Sequence, residues 1–352
     1  MLSIYLRCNL SKRPMIYQNM ISRIFLLLFL LAASACQHKI TNRESNQSYN
    51  TDYVNPFGQL AINSSEGRPT VIYRSQDLGM TWSTFANGIP RDATLSGIKQ
   101  YDNKIYVSTD YHGVFVSIDG QNHWTALNNI DLDGIDINCI EVESNNLVIG
   151  SLKSGIRISK DGGVSWDLPK ENIISPVRAL LKSRNIIYAG TDSGIFESND
   201  MGNTWSHLFG QLQILGFTSM NGKIYAATQN GVLMSEKGTT NWRAIYHGDA
   251  LHDIGNDDRY IYAMTIGQQL LKTDNDGKLW ESAQSGIPRP PNFYTNELKH
   301  IGKHIFSAQW IGIYKSIDNG SNWHMLDGLP DSTAFSTLEI TDYGIIAGIS
   351  IR

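Results

Sequence analysis

Ser198-Asn199-Asp200-Met201-Gly202-Asn203-Thr204-Trp205 reads as the end of one strand, a tight polar turn and the start of the next strand. Asp200 can fold its carboxylate back onto the N–H groups of the turn. Gly202 allows a positive φ that a side chain resists. Ser198 and Thr204 can pin the flanking backbone with their hydroxyls, and Trp205 carries a large apolar plate out of the turn.

The pattern recurs along the chain. It is intact at Ser75…Asp77…Gly79…Thr81-Trp82 and at Ser159…Asp161…Gly163…Ser165-Trp166, and nearly so at Ser316…Asp318…Gly320…Trp323. Weaker copies stand at Ser117…Asp119…Trp124, with Gln121 in the glycine position, at Ser235…Trp242, with Lys237 for the aspartate, and at Thr273…Asn275…Gly277…Trp280. The seven tryptophans are separated by 42, 42, 39, 37, 38 and 43 residues. A period near 40 with short strands between turn signals predicts an all-β, seven-bladed β-propeller, one blade per repeat.

In these residues the sequence resembles the Asp-box, or BNR, repeat proteins with their S/T-x-D-x-G-x-T/S-W motif, over roughly residues 70–352. That superfamily includes sialidases, xyloglucanases, sortilin-type receptors and a photosystem II assembly lipoprotein, so the resemblance implies a fold and leaves the function open.

The third full repeat shows the unit. Residues 177–182 read as strand A, nearest the axis, 186–191 as strand B and 195–198 as strand C; strand D begins at Trp205. At the C-terminus, 334–341 and 343–351 look like strands A and B without C or D, while 71–75 and 82–85 supply a C and D pair. Joined, they complete a seventh blade and remove the open edges of the sheet. Residues 57–62 are either an extra strand or part of a tether.

Residues 1–36 stand apart. The run IFLLLFLLAA at 24–33 is too short to span a bilayer, follows Arg23 and ends in Ala33-Ser34-Ala35-Cys36. This resembles a bacterial lipoprotein signal with Cys36 as the lipidated residue; a plain secretory signal cleaved nearby is the alternative. A start at Met20 would give a signal of ordinary proportions, so residues 1–19 fit a misread start. Residues 37–55 then form a polar tether and 56–352 the propeller. Gln37 after the cysteine resembles the outer-membrane sorting preference of Gram-negative lipoproteins.

The leader carries Arg7, Lys12, Arg13 and Arg23 and no acid. Without it 25 cations face 33 acids, a formal charge near −8, which argues against nucleic-acid binding. Of three cysteines, Cys8 lies in the leader, Cys36 is the lipid site and Cys139 remains alone, so no disulfide framework is expected. Cys139 reads as a buried core thiol.

In a four-stranded antiparallel blade the C–D and A–B turns share one face, and the B–C turns and D–A loops share the other. The repeated Asp77, Asp119, Asp161, Asp200, Asn275 and Asp318 therefore ring the lower face in a structural role. Function is expected where the repeats differ, on the upper face. Trp310 is the one tryptophan outside the repeat and falls in a B–C turn, as do Tyr111 and His112. An exposed aromatic there can stack on a sugar or hold a partner residue. Arg289, Phe293 and Tyr294 lie in a proline-stiffened D–A loop and make a second contact surface. Asp131 and Asp133 in one acidic loop, and Asp253 and Asp257 in another, are the candidates for paired-acid glycoside chemistry.

The Asp131-Leu-Asp133-Gly-Ile-Asp136 spacing does not match a calcium loop, and no metal or cofactor is expected. A sialidase should carry an Arg-Ile/Leu-Pro element, whereas Ile89-Pro90-Arg91 and Ile287-Pro288-Arg289 run in another order. The expectation is an exported, membrane-anchored, monomeric binding or assembly module for protein or glycan. A glycan-active hydrolase or lyase is the alternative.

Overall fold

The structure is a computed structural model that describes residues 70–127, 132, 134–236, 241–267, 269–288, 295–330 and 333–350. Cys36, the proposed signal and the tether, Asp131, Asp133, Arg289, Phe293 and Tyr294 lie outside the described residues. Seven antiparallel sheets form a β-propeller. Strand A of the successive blades is Leu95–Tyr101, Ile137–Glu143, Val177–Ser183, Ile214–Met220, Leu251–Asn256, Thr295–Ile301 and Phe335–Thr341. The seventh sheet is closed as expected: Phe335–Thr341 pairs with Gly344–Ile349, and that strand pairs with Ile72–Ser75 from the N-terminal side.

Each blade is built the same way for the same reasons. Strand B is an apolar run whose third residue, or second in the fifth blade, is Tyr106, Val148, Tyr188, Tyr225, Tyr262, Phe306 or Ile346, all fully buried between blades. At Gly79, Gly202 and Gly320 the glycine of the repeated turn packs on this residue of the preceding blade, while Gly163 and Gly277 pack on Leu127 and Ile245 instead. A Cβ on Gly79 would meet Phe306 at 3.4 Å and Leu326 at 2.6 Å, and one on Gly202 would meet Val148 at 3.1 Å. Glycine is thus required twice, for its φ of +84° to +86° and for this contact.

The turn itself is a closed hydrogen-bond set. Ser198 Oγ donates to Asp200 Oδ1 at 2.9 Å and accepts from Gly202 N at 2.8 Å. Thr204 donates its N–H to Asp200 Oδ1 and its hydroxyl to Oδ2, both at 2.8 Å. The set repeats around Asp77 and Asp161, and around Asp318 with Asn322 Nδ2 in place of the hydroxyl; at Asn275, followed by Leu279, only the bonds to Oδ1 remain. In Asp77 and Asp161 these bonds, led by the hydroxyls of Thr81 and Ser165, bring the carboxyl down to about 2. The residue before the glycine is also left-handed, with φ near 56° at Leu78 and Met201, which the sequence did not signal.

Asp119 departs from the expected role. Its glycine, Gly120, stands one residue early, so Asp119 itself takes the left-handed backbone (φ 53°) and its carboxylate accepts from Asn103 Nδ2 at 2.8 Å. The second blade also differs: its outer ladder stops at a single Ile158–Asp167 bridge. Where Leu127, Phe85, Ala283 and Leu326 donate an N–H to strand C in their blades, this blade has Pro169, which has none. Asn172 Oδ1 then accepts from Ile156 N–H in place of a strand.

Candidate functional site

Strand A decides what faces the axis. In all seven blades its pairing with strand B is bulged at the second residue, which leaves Ser96, Asn138, Arg178, Leu215, His252, Asn296 and Ser336 out of the ladder at the upper end. Several lace the ring together: Asn138 Nδ2 donates to Arg178 O, Asn296 Nδ2 to Phe335 O and Ser336 Oγ to Leu95 O. Arg178 grips Asp192 with two nitrogens, and Gln213 Nε2 adds a bond at 2.8 Å. Arg178 thereby holds the Asp192 carboxyl below its ordinary range.

Deeper along the axis lies a charged belt. Lys99 Nζ is 2.8 Å from Glu141 Oε1 across the first and second blades. Lys299 Nζ is 3.0 Å from Glu297 Oε1 in its own strand and 3.1 Å from Glu339 Oε2 in the next blade. Burial disfavours the Lys299 ammonium, but the two glutamates outweigh it and raise its pKa. Glu297 Oε2 also accepts from Thr337 Oγ1 and Leu338 N. Lys99 and Lys299 retain 31% and 28% side-chain exposure, as groups on the wall of a water-accessible bore do.

Of the sequence-predicted acids, the two described ones, Asp253 and Asp257, do not come together. His252 and Asp253 belong to strand A of the fifth blade rather than to a loop, and Asp257 lies past its lower end in the A–B turn. Asp257, 4% exposed, accepts from Arg259 N, Tyr260 N and Tyr262 Oη. Four residues of strand separate it from Asp253 by roughly 13 Å. The Asp253/Asp257 pair is therefore no glycosidase dyad: one carboxyl lies in the bore, and the other is spent on a turn. The polar strand Leu-His-Asp-Ile-Gly-Asn hid its apolar alternation, which is why it read as a loop. Asp136 of the other acidic loop accepts from Ser151 Oγ and is buried.

On the upper face Tyr111 is half exposed at 50%, in a left-handed backbone, with Lys153 Nζ 5.8 Å from its ring centre. His112 Nε2 is 3.5 Å from Asp92 Oδ1. Trp310 was expected to be an exposed plate; it is only partly exposed and its indole nitrogen is shielded from solvent. The turns that lead into Ile89-Pro90 and Ile287-Pro288 dock on the next blade: Asn87 O and Ser285 O accept the N–H of Trp124 and Trp323, each at 2.8 Å. Cys139 is the free cysteine of the described residues; it sits on strand A, and burial pushes its thiol above the usual range. Among the described residues no cluster of three His, Cys, Asp or Glu is arranged for a metal ion, and no helix is long and apolar enough to cross a membrane.

Known folds show the same architecture. The chain superposes on YCF48 bound to D1 peptide with a TM-score of 0.58 at 17% identity, covering 74% of this chain and 93% of that one. It superposes on the extracellular domain of a putative one component system from B. thetaiotaomicron with a TM-score of 0.61 at 14% identity, covering 75% and 39%. The GH74 xyloglucanase from Xanthomonas campestris gives 0.56 at 14%, covering 80% and 55%. No protein-family model matches the sequence. No curated protein matches it either. At such identities the likeness establishes the propeller fold.

Proposed function

We propose that this protein is an exported binding or assembly module, held at the bacterial envelope by a lipid on Cys36, that contacts a protein or glycan with its upper face. The carrying observation is a division of labour between the faces. The lower-face aspartates are consumed by their own turns. The residues that break the repeat, Tyr111, His112, Lys153 and Trp310, stand in B–C turns on the opposite face. The likeness to YCF48 bound to D1 peptide and to the extracellular domain of a one component system supports the reading. The Asp-box resemblance of the repeats supports it as well.

The contact face is tested with peptide and glycan arrays. Tyr111→Ala should weaken any specific binding without moving the melting temperature, because the ring is half exposed. Trp310→Ala should weaken it roughly 30-fold, about 2 kcal/mol, and lower the melting temperature by a few degrees because the indole is partly buried. Full binding in both variants below their melting transitions would remove the upper face from consideration. The anchor is tested separately. Cys36→Ser should release the protein from the membrane fraction and abolish labelling by a palmitate analogue; a wild type that takes up no lipid would refute it.

A further inference from the structure

The second blade breaks the repeat where it meets the first. Two residues before the serine or threonine of the Asp-box turn, six blades carry Tyr73, Phe115, Phe196, Leu233, Leu271 and Tyr314, and the second carries a cation, Arg157. Arg157 lies opposite Ile149 in the ladder, so the two share a face, and Ile149 packs with Tyr106 and Val114 of the first blade. The guanidinium thus faces the first blade near the upper end, where its Nη1 donates to Ser154 O and Ile156 O, both at 3.3 Å. The latter carbonyl is the one that Pro169 leaves without a backbone donor. Among the described residues Nε and Nη2 make no hydrogen bond, and neither nitrogen is sealed from solvent.

The neighbouring turns add a second departure. Three residues separate strands B and C in the first and second blades, against two in the third and fourth. The middle residues of the two longer turns are Tyr111 and Lys153, and they meet, with Lys153 Nζ 5.8 Å from the ring centre. Among the described B–C turns Tyr111 is the one non-glycine residue in the left-handed region, with φ 63°, a backbone that an aromatic side chain resists. Among the described residues no carboxylate pairs with Lys153 or Arg157. The acids close by are engaged elsewhere, Asp92 with His112 and Asp136 with Ser151.

We propose that Tyr111, Lys153 and Arg157 form a subsite for a hexuronate residue of an acidic polysaccharide, its ring face on Tyr111 and its carboxylate shared by the ammonium and the guanidinium. This rests on the upper-face reading above and names the ligand class for that face. Each part of the sugar answers to one departure from the repeat. The apolar C–H face of a pyranose fits a half-exposed phenol ring. The planar edge of Nε and Nη2 suits the two oxygens of a carboxylate, and the ammonium adds a point charge. An acidic peptide would use the cations and leave the ring uncovered, and a neutral sugar would use the ring and leave both cations idle. In a chain of formal charge −4, two cations without a partnering acid are a local exception that draws an anionic ligand to this spot. The strained backbone at Tyr111 is kept for the place it gives the ring.

The test titrates the full chain by calorimetry with tetramers of galacturonate, glucuronate and mannuronate, using the methyl-esterified galacturonate tetramer and tetraglutamate as controls. At least one uronate tetramer should bind. The ester keeps the ring and loses the charge, tetraglutamate keeps the charge and loses the ring, and each should bind about tenfold more weakly or worse. Raising NaCl to about 0.5 M should also weaken the uronate. Tyr111→Ala, Lys153→Ala and Arg157→Leu should each weaken it by about tenfold or more with little change in melting temperature. Leucine is what the fourth and fifth blades carry at the position of Arg157. Should that variant melt early for want of its bond to Ile156 O, Lys153→Ala decides, because its ammonium meets only the Tyr111 ring among the described residues. No binding by any of the three uronates, equal binding of acid and ester, equal binding of tetraglutamate, or unchanged uronate binding in Lys153→Ala would overturn the subsite. Failure of the upper-face reading looks different: Tyr111→Ala and Trp310→Ala would then leave intact whatever binding the peptide and glycan arrays detect.

Discussion

Deleting residues 343–352 should abolish the folded state. The lost strand, Gly344–Ile349, is the only link between Phe335–Thr341 and Ile72–Ser75 within the seventh sheet. It carries Ile345, Ile346, Ala347 and Ile349, all buried, in the cluster that joins the sixth, seventh and first blades. Three buried isoleucines alone contribute about 5–8 kcal/mol, comparable to the whole stability of a domain. The remaining hairpin would keep an unpaired edge. The expected result is insoluble protein, or soluble protein without a cooperative melting transition. A truncated chain that melts like the full one would mean that the two ends do not share a blade in solution.

Lys299→Met should cost about 1–3 kcal/mol at neutral pH, between the figures for an exposed and a fully buried ion pair, because water still reaches the three side chains. The variant leaves Glu297 and Glu339 in the bore without the ammonium that lies within 3.1 Å of both, while Asp253 remains nearby. Because the penalty is that of uncompensated carboxylates, acid should relieve it. The gap in melting temperature should therefore narrow as the pH falls from 7. Adding Glu297→Gln and Glu339→Gln to the variant should recover most of the loss at pH 7. A deficit unchanged by pH and by the added replacements would assign the cost to lost packing of the lysine stem instead.

Both predictions rest on features of different legibility. The blade count and the hydrogen bonding around Asp77, Asp161 and Asp200 were readable because each depends on residues close in sequence; the pairing of Ile72–Ser75 with Gly344–Ile349 was readable because the repeat left half a blade at each end. A turn is closed by atoms within five residues, and the same eight-residue signal recurs at nearly constant spacing. The early glycine at Gly120 was visible too, but its consequence, the turn of Asp119 toward Asn103, follows from a backbone shift that a motif comparison does not weigh.

The axis was not readable. Lys99 and Glu141 are 42 positions apart, Lys299 and Glu339 are 40 apart, and Asp253 and Gly216 meet across two blades. Along the chain each is a polar residue interrupting a strand, and in the fifth blade such interruptions were enough to make a strand pass for a loop. By itself the sequence determined the repeat, its turns and the closure of the ring, since local hydrogen bonding and period suffice for these. Only the tertiary structure decided which charges converge and that His252 and Asp253 stand on a strand. Those depend on seven A strands being brought around one axis, where desolvation and long-range Coulomb interaction act between residues that no local pattern connects.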